Sequence, residues 1–302
     1  MARISCFPML ALVLLCGSGL AAQDEWKSLE WKSLEEAKKV AAASDKPIFL
    51  VAVLDTIELA DPVFKKLRTR ARADEDFKIF VSAKINVFKL DPNAAQNGGT
   101  SHGTDPVLVE KYGDMSTVSV YAPGANTPLW RLNAGAHKDD IFKQAREAYE
   151  KWRKDVDELE QQMKDDKELK KDPEALWKLG EAWARGGSAE RALDNLDDAL
   201  KLVRKADKAD RRIEKWALRC AEVALSCEEY ADAAKRFTAF LKEFKDSESR
   251  NEAVLGKTAA LIGANNFKGA LKTLEDIKAD APPEILDRAR KLHEKATKGA
   301  AE

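Results

Sequence analysis

The chain has 302 residues, of which 51 are lysine or arginine and 52 are aspartate or glutamate, so its formal net charge is −1. This near-neutral balance argues against a nucleic-acid partner held by a strongly basic surface. Apolar residues make up 44% of the chain. That fraction is too high for a disordered protein, and the length is that of roughly two domains.

Residues 1–22 have the features of a secretory signal peptide. Arg3 supplies a positive charge, residues 7–15 are apolar, and the small residues Gly19 and Ala21 precede the expected cleavage. The apolar stretch is shorter than the ~20 residues that a membrane-spanning helix needs, and the rest of the sequence contains no longer stretch. The sequence therefore predicts an exported protein, periplasmic or secreted, with no transmembrane segment in the mature chain.

The residues after this signal alternate between patterns typical of helices and strands. Ser33 and Glu36 have the spacing of a capping box at the start of a helix over residues 34–44. Residues 48–54 form a continuous apolar run that suits a strand buried on both faces. The further elements are expected as a helix that begins at Asp61-Pro62, a strand at 77–87, a helix at 106–112, strands at 117–121 and 129–132, and a helix from about residue 139. This order predicts a small α/β sandwich.

Three features of this region resemble the thioredoxin-like fold, and in particular the exported relatives of thioredoxin. They are Lys46-Pro47 before the buried strand, Lys84-Ile85-Asn86 at the end of the next strand, and Gly135 before the last helix. The resemblance implies a thioredoxin-like domain over residues 23–152.

The dithiol of the active family members is missing from this domain. The family's two cysteines would fall near Ile57 and Ala60, and Ser116 stands where the family has a cis-proline. The resemblance therefore implies a domain without thiol–disulfide exchange, and we predict no cofactor and no metal. Asp55 and Glu58 precede the second helix, and two interpretations stay open. Their negative charges either cap that helix and complement the positive end of its dipole, or they form an altered interaction site.

The segment 142–163 carries an apolar stripe at alternating spacings of three and four residues, which is typical of a helix with one buried face. The stripe consists of Phe142, Ala145, Tyr149, Trp152, Val156, Leu159 and Met163. Two interpretations compete: the stripe forms the seam of a homodimer, or it packs against the chain's own C-terminal domain. We expect residues 153–172 to be a helical linker.

The C-terminal part, residues 173–302, repeats a pattern of paired helices. Residues 173–206 show the pattern most fully, with apolar or small residues at Leu176, Leu179, Gly180, Trp183, Ala192, Leu196 and Ala199. Residues 214–247 and 251–284 match it less fully, and residues 284–296 suit a capping helix. The spacings resemble the tetratricopeptide repeat, which implies an all-α solenoid whose first helices line a concave docking face.

Candidate interaction residues lie between the patterned positions of the first helices. They are Lys178 and Glu181 in the first repeat and Arg219 and Glu222 in the second. The basic stretch 201–212 separates these repeats. It either binds an acidic partner or forms a solvated face, because acids are interspersed among its lysines and arginines.

Four cysteines occur, of which Cys6 and Cys16 belong to the predicted signal peptide. Cys220 and Cys227 lie about 10.5 Å apart along one predicted helix. This separation exceeds the ~7 Å Cα limit of a disulfide. We expect both residues to be small buried apolar groups.

Together these patterns favour a non-catalytic, exported adaptor that binds a protein or peptide partner. Two alternatives remain: an accessory thiol-redox or other envelope enzyme, and a structural or oligomeric envelope protein. The sequence does not identify the partner.

Overall fold

A computed structural model describes residues 31–53, 62–90, 102–104, 106–112, 117–132, 140–277 and 281–301. In this part of the chain, a small mixed sheet with flanking helices is followed by a region built of helices. The predicted signal peptide, the candidate residues Asp55 and Glu58, and Ser116 lie outside the described residues.

The element bounds are as follows. The strands are β1 (Lys32–Ser33), β2 (Ile48–Val53), β3 (Val81–Asn86), β4 (Phe88–Leu90), β5 (His102–Thr104), β6 (Val118–Tyr121) and β7 (Trp130–Leu132). The helices are α1 (Leu34–Ser44), α2 (Pro62–Ala73), α3 (Pro106–Tyr112), α4 (Ile141–Asp165), α5 (Pro173–Arg185), α6 (Ala189–Ala206), α7 (Arg212–Ser226), α8 (Tyr230–Glu243), α9 (Arg250–Gly263), α10 (Phe267–Leu274) and α11 (Pro283–Ala301).

The main sheet has the order β1-β3-β2-β6-β7, with β1, β3 and β2 parallel and the hairpin β6–β7 antiparallel to β2. Every residue of the central strand β2 is buried, as its unbroken apolar sequence predicts. The predicted strand at 77–87 begins only at Val81, because Asp74 caps a 3-10 turn over Glu75–Phe77. A second, two-stranded sheet of β4 and β5 was not predicted; β5 lies between the strand predicted at 77–87 and the helix predicted at 106–112.

Helix α1 begins as the sequence predicts. Ser33 Oγ accepts a hydrogen bond from the Glu36 amide, and the Glu36 carboxylate accepts one from the Ser33 amide, which completes the capping box. Ala37 and Ala41 of this helix are buried against the sheet region.

Aromatic rings fill the core on the opposite face of the sheet. Phe49 of β2 contacts Phe77 with ring centroids 5.2 Å apart, and Phe77 contacts Phe142 of α4 at 5.0 Å. Trp31 packs against both Phe49 and Phe77. This aromatic cluster therefore holds both Trp31, which precedes β1, and Phe142, in the first turn of α4.

Helix α4 runs unbroken through residue 152, where the sequence predicts a boundary between domain and linker. Its N-terminal part buries Phe142 and Ala145 beneath the sheet, and its C-terminal part buries Trp152 and Val156 against the helical region. The indole nitrogen of Trp152 donates a hydrogen bond of 2.8 Å to the Ala182 carbonyl. Most of the apolar stripe is thus covered within the chain, which favours internal packing over the homodimer seam, although Tyr149 and Leu159 are only partly buried.

The helical region consists of successive packed helices. Helices α5 and α6 pair where Gly180 meets Leu196, since a Cβ at Gly180 would lie 2.6 Å from Leu196 Cγ. The predicted contact residues of the first pair, from Leu176 to Ala199, are all buried. The following pairs are α7 with α8 and α9 with α10, and the last helix, α11, extends beyond its predicted bounds of 284–296.

Equivalent turns join the helices of each pair. The middle residue of each turn has a left-handed backbone conformation, with φ values of 76° at Gly187, 64° at Glu228 and 57° at Asn265. Glycine and asparagine tolerate this conformation, whereas a glutamate there is unfavourable.

The sheet region docks onto two of these turns. The Asn126 amide nitrogen donates to the Gly187 carbonyl (3.2 Å), and the Asn126 side chain donates to the Cys227 carbonyl (3.4 Å). Lys111 at the end of α3 forms an ion pair with Glu228. The residue with the unfavourable backbone conformation therefore also makes a contact between the two regions.

Across the described ranges, none of the helices is long and apolar enough to cross a membrane.

Replacing Trp152 with phenylalanine should lower the free energy of unfolding by about 1–3 kcal/mol, because the smaller ring fills less of the core and the Ala182 carbonyl keeps only its longer bond, of 3.3 Å, from the Gly186 amide. Urea unfolding followed by circular dichroism measures this loss. The half-buried Tyr149 on the same helix is a matched site, and Tyr149→Phe should change stability by less than about 0.5 kcal/mol. Equal effects of the two substitutions would contradict the role given to the indole hydrogen bond.

Glu228→Gly should relieve about 1–2 kcal/mol of backbone strain and lose an ion pair worth at most about 1 kcal/mol. Lys111→Met loses the ion pair alone. We therefore expect Glu228→Gly to be more stable than Lys111→Met by about 1 kcal/mol in urea unfolding. Asn265→Gly, at the equivalent turn, is the control, and its free energy of unfolding should change little because asparagine tolerates this conformation. A Glu228→Gly variant less stable than Lys111→Met would contradict the claim that Glu228 is strained.

Candidate functional site

Four of the six predicted interaction residues, Lys178, Glu181, Arg219 and Glu222, lie on one face formed by α5 and α7, which we call the first-helix face. Arg219 of α7 donates two hydrogen bonds to the Glu181 carboxylate of α5, at 2.8 and 2.9 Å, and a third of 3.4 Å to Glu222. Lys178 is exposed on α5 and forms no ion pair with any described residue. The structure therefore brings Glu181, Arg219 and Glu222 into contact. Lys178 lies on the same helix as Glu181 but contacts none of the three through a hydrogen bond or ion pair.

The contact between Arg219 and Glu181 joins neighbouring helix pairs rather than presenting free charges. The Glu181 carboxylate raises the pKa of the Arg219 guanidinium, which stays charged. Their side chains are 41% and 25% exposed, which places the pair at the surface, where ion pairs contribute little to stability. The planar, two-point geometry instead fixes the relative position of α5 and α7.

The same kind of contact recurs along the helical region. Acid–arginine pairs join residues that are 36 to 39 positions apart, one helix pair further along the chain: Glu174–Arg212, Asp197–Arg236, Arg204–Glu243 and Glu252–Arg288. These pairs were not predicted. The sequence carried one signal for them: acids and arginines recur 36 to 39 positions apart, which is the spacing between successive helix pairs.

Two tryptophans stack on the first-helix face. The rings of Trp177 (α5) and Trp216 (α7) are nearly parallel, at 9°, with centroids 4.2 Å apart. Trp216 is buried, Trp177 is partly exposed, and the Arg212 guanidinium lies 5.4 Å from the Trp216 ring. Sequence reasoning missed this stack, although its residues are separated by nearly the same spacing as the ion pairs.

The basic stretch 201–212 is partly neutralised within the chain. Arg204 pairs with Glu243 at 2.8 Å, and Arg212 pairs with Glu174 and Asp210, both at 2.7 Å. These contacts favour the interpretation of this stretch as a solvated, ion-paired face.

Cys220 and Cys227 are buried free thiols, as expected from their spacing. Burial raises the pKa of Cys220 to about 12, and it also raises the pKa of Cys227. A reactive cysteine needs a lowered pKa, so neither residue is prepared for nucleophilic chemistry. Within the described ranges, no cluster of three histidine, cysteine or carboxylate side chains could hold a metal ion.

The comparisons with known proteins add no assignment. The chain matches no family model, and neither the curated proteins nor the solved structures yield a match.

Both described thiols should be unreactive in the folded protein. In a chain that begins at Gln23, which contains only these two cysteines, we expect Ellman's reagent to release almost no colour at pH 8. The same protein in concentrated guanidinium should titrate both thiols. Rapid reaction of either thiol under native conditions would contradict the burial and reopen a thiol-based function.

Proposed function

We propose that this chain is a non-catalytic interaction protein of the extracytoplasmic space, with the first-helix face as its docking surface. The sheet region would be a thioredoxin-like domain without the dithiol, and the helical region a tetratricopeptide-type array. Export rests on the signal-like sequence of residues 1–22.

The order of elements supports the two fold assignments. Parallel strands connected through helices, followed by an antiparallel hairpin and the helix α4, agree with a thioredoxin-like sandwich. Successive helix pairs with small residues at their contacts agree with stacked helical repeats, as at Gly180 and Ala192.

One observation carries the functional proposal: the partly exposed Trp177 is held in place by the buried Trp216. Tryptophan and arginine are enriched among the residues that dominate binding energies at protein interfaces. The ion pairs on either side, Glu174–Arg212 and Glu181–Arg219, fix the helices that carry the two rings. A partner would therefore meet a preorganised aromatic surface, which lowers the entropic cost of association.

The alternatives receive less support. A thiol-redox activity of Cys220 or Cys227 conflicts with their burial and raised pKa values. An oligomer through residues 142–163 conflicts with the internal packing of Trp152 and Val156.

Point substitutions in the full mature chain test the docking surface. A truncation at Lys171 is unsuitable, because it would expose Trp152 and Val156 of α4. We expect crosslinking capture from the native extracytoplasmic fraction to fall by about tenfold or more with Trp177→Ala. Lys178→Glu reverses an exposed charge that pairs with no described side chain, and should reduce capture several-fold without altering the fold.

Lys201→Glu is the matched control, because Lys201 is an exposed lysine on the second helix, α6. It should leave capture of the same protein unchanged. Equal capture by the wild type and by the Trp177 and Lys178 variants would move recognition away from the first-helix face. Failure of the wild type to capture any protein would contradict the adaptor function itself.

A further inference from the structure

A pocket of about 360 Å³ opens at the carboxyl end of the parallel strands of the main sheet. Ser33 and Val53 are the last residues of β1 and β2, and Tyr112 is the last residue of α3. The volume lies at the lower end of the roughly 300–1,000 Å³ range of small-molecule sites, and the carboxyl ends of parallel strands are the usual place for such a site. The lining consists of Ser33, Leu34, Glu35, Val53, Lys84, Ile85 and Tyr112.

Both walls of the pocket are fixed by contacts within the chain. On one side, the capping box of Ser33 and Glu36 sets the start of α1. On the other side, Tyr112 ends α3, where Lys111 forms an ion pair with Glu228. A ligand therefore enters a preformed cavity, which lowers the entropic cost of binding.

The lining offers apolar surface that the fold leaves uncovered. Leu34 and Val53 are buried, whereas Ile85 and Tyr112 pack against the same core as Leu34 but stay partly exposed. Burial raises the pKa of the Tyr112 phenol, so this group is uncharged at neutral pH. An apolar ligand removes the exposed carbon of Ile85 and Tyr112 from water, which favours binding in proportion to the area covered.

Neither charged residue of the lining calls for a ligand of opposite charge. Lys84 already interacts with another residue of the chain. Glu35 is exposed on the first turn of α1, where the positive end of the helix dipole stabilises its carboxylate and where water and salt screen its charge. A charged ligand would lose hydration on entering the apolar cavity without gaining an ionic partner in return, and that loss is costly.

We propose that this pocket binds a small uncharged molecule with an apolar body, such as a medium-chain alcohol or a monocyclic compound. The apolar body lies against Leu34, Ile85 and Tyr112, between the first turn of α1 and the end of α3. Nucleotides, organic acids and amines carry charges that this lining does not match. The proposal rests on the cavity and its lining alone and is independent of the proposed docking function.

Three probes with the same apolar body test the ligand class: hexanol, hexanoate and hexylamine, each titrated by calorimetry into the chain that begins at Gln23. We expect hexanol to bind about tenfold more tightly than either charged probe, because only the charged probes lose ionic hydration. Tighter binding of hexanoate or hexylamine would show that a charge of the lining controls the site, and it would overturn the proposal. Failure of hexanol to bind would overturn it as well.

The length of the alcohol tests whether burial of the apolar body drives binding. From butanol to hexanol, the affinity should rise about fourfold for each added methylene group, which is the gain expected when such a group leaves water. An affinity that is independent of chain length would contradict an apolar cavity as the site.

Two measurements locate the bound hexanol. In the wild type, nuclear Overhauser effects should connect its protons to the methyl groups of Ile85 and to the ring of Tyr112. Ile85→Phe fills part of the cavity with a larger side chain and should weaken hexanol binding about tenfold. Val40→Phe makes the matched change at an exposed position of α1 and should leave the affinity unchanged. Missing contacts to both residues, or unchanged affinity in the folded Ile85→Phe variant, would place hexanol elsewhere and refute the site.

Discussion

Helix α4 is the element on which the rest of the structure depends. One continuous helix buries Phe142 in the aromatic core of the sheet and Trp152 in the core of the helical region. Because a helix transmits its orientation over its whole length, fixing one end fixes the other. The two regions share a single packed body for this reason, and neither can be removed without exposing apolar surface of α4.

This shared body determines which surfaces remain for partners. The hairpin residue Asn126 and the α3 residue Lys111 occupy the turns at Gly187 and Glu228, so that edge of the helical region is already covered. Among the described residues, the sheet region forms no hydrogen bond or ion pair with Trp177, Lys178 or Arg219 of the first-helix face.

The electrostatics of the helical region follow the same logic. Arginines such as Arg219 and Arg236 are matched to acids on the preceding helix pair, so part of the charge of the helical region is neutralised by contacts within the chain. Each exposed pair contributes little free energy, but bidentate geometry at successive positions fixes the stacking of the helices. The proposed docking through this face would rely on shape and aromatic contact more than on net charge.

The sequence by itself determined the local features: the capping box of Ser33 and Glu36, the buried strand β2, and the apolar spacing of α5 and α6. These depend on residues a few positions apart, whose preferences act within one element. Tertiary structure alone decided the pairing of Arg219 with Glu181, 38 residues away, and of Asn126 with Cys227, 101 residues away. It also decided that most of the stripe of α4 packs within the chain. Such contacts arise only when packing brings distant segments together, and no spacing within one element specifies which segments will meet.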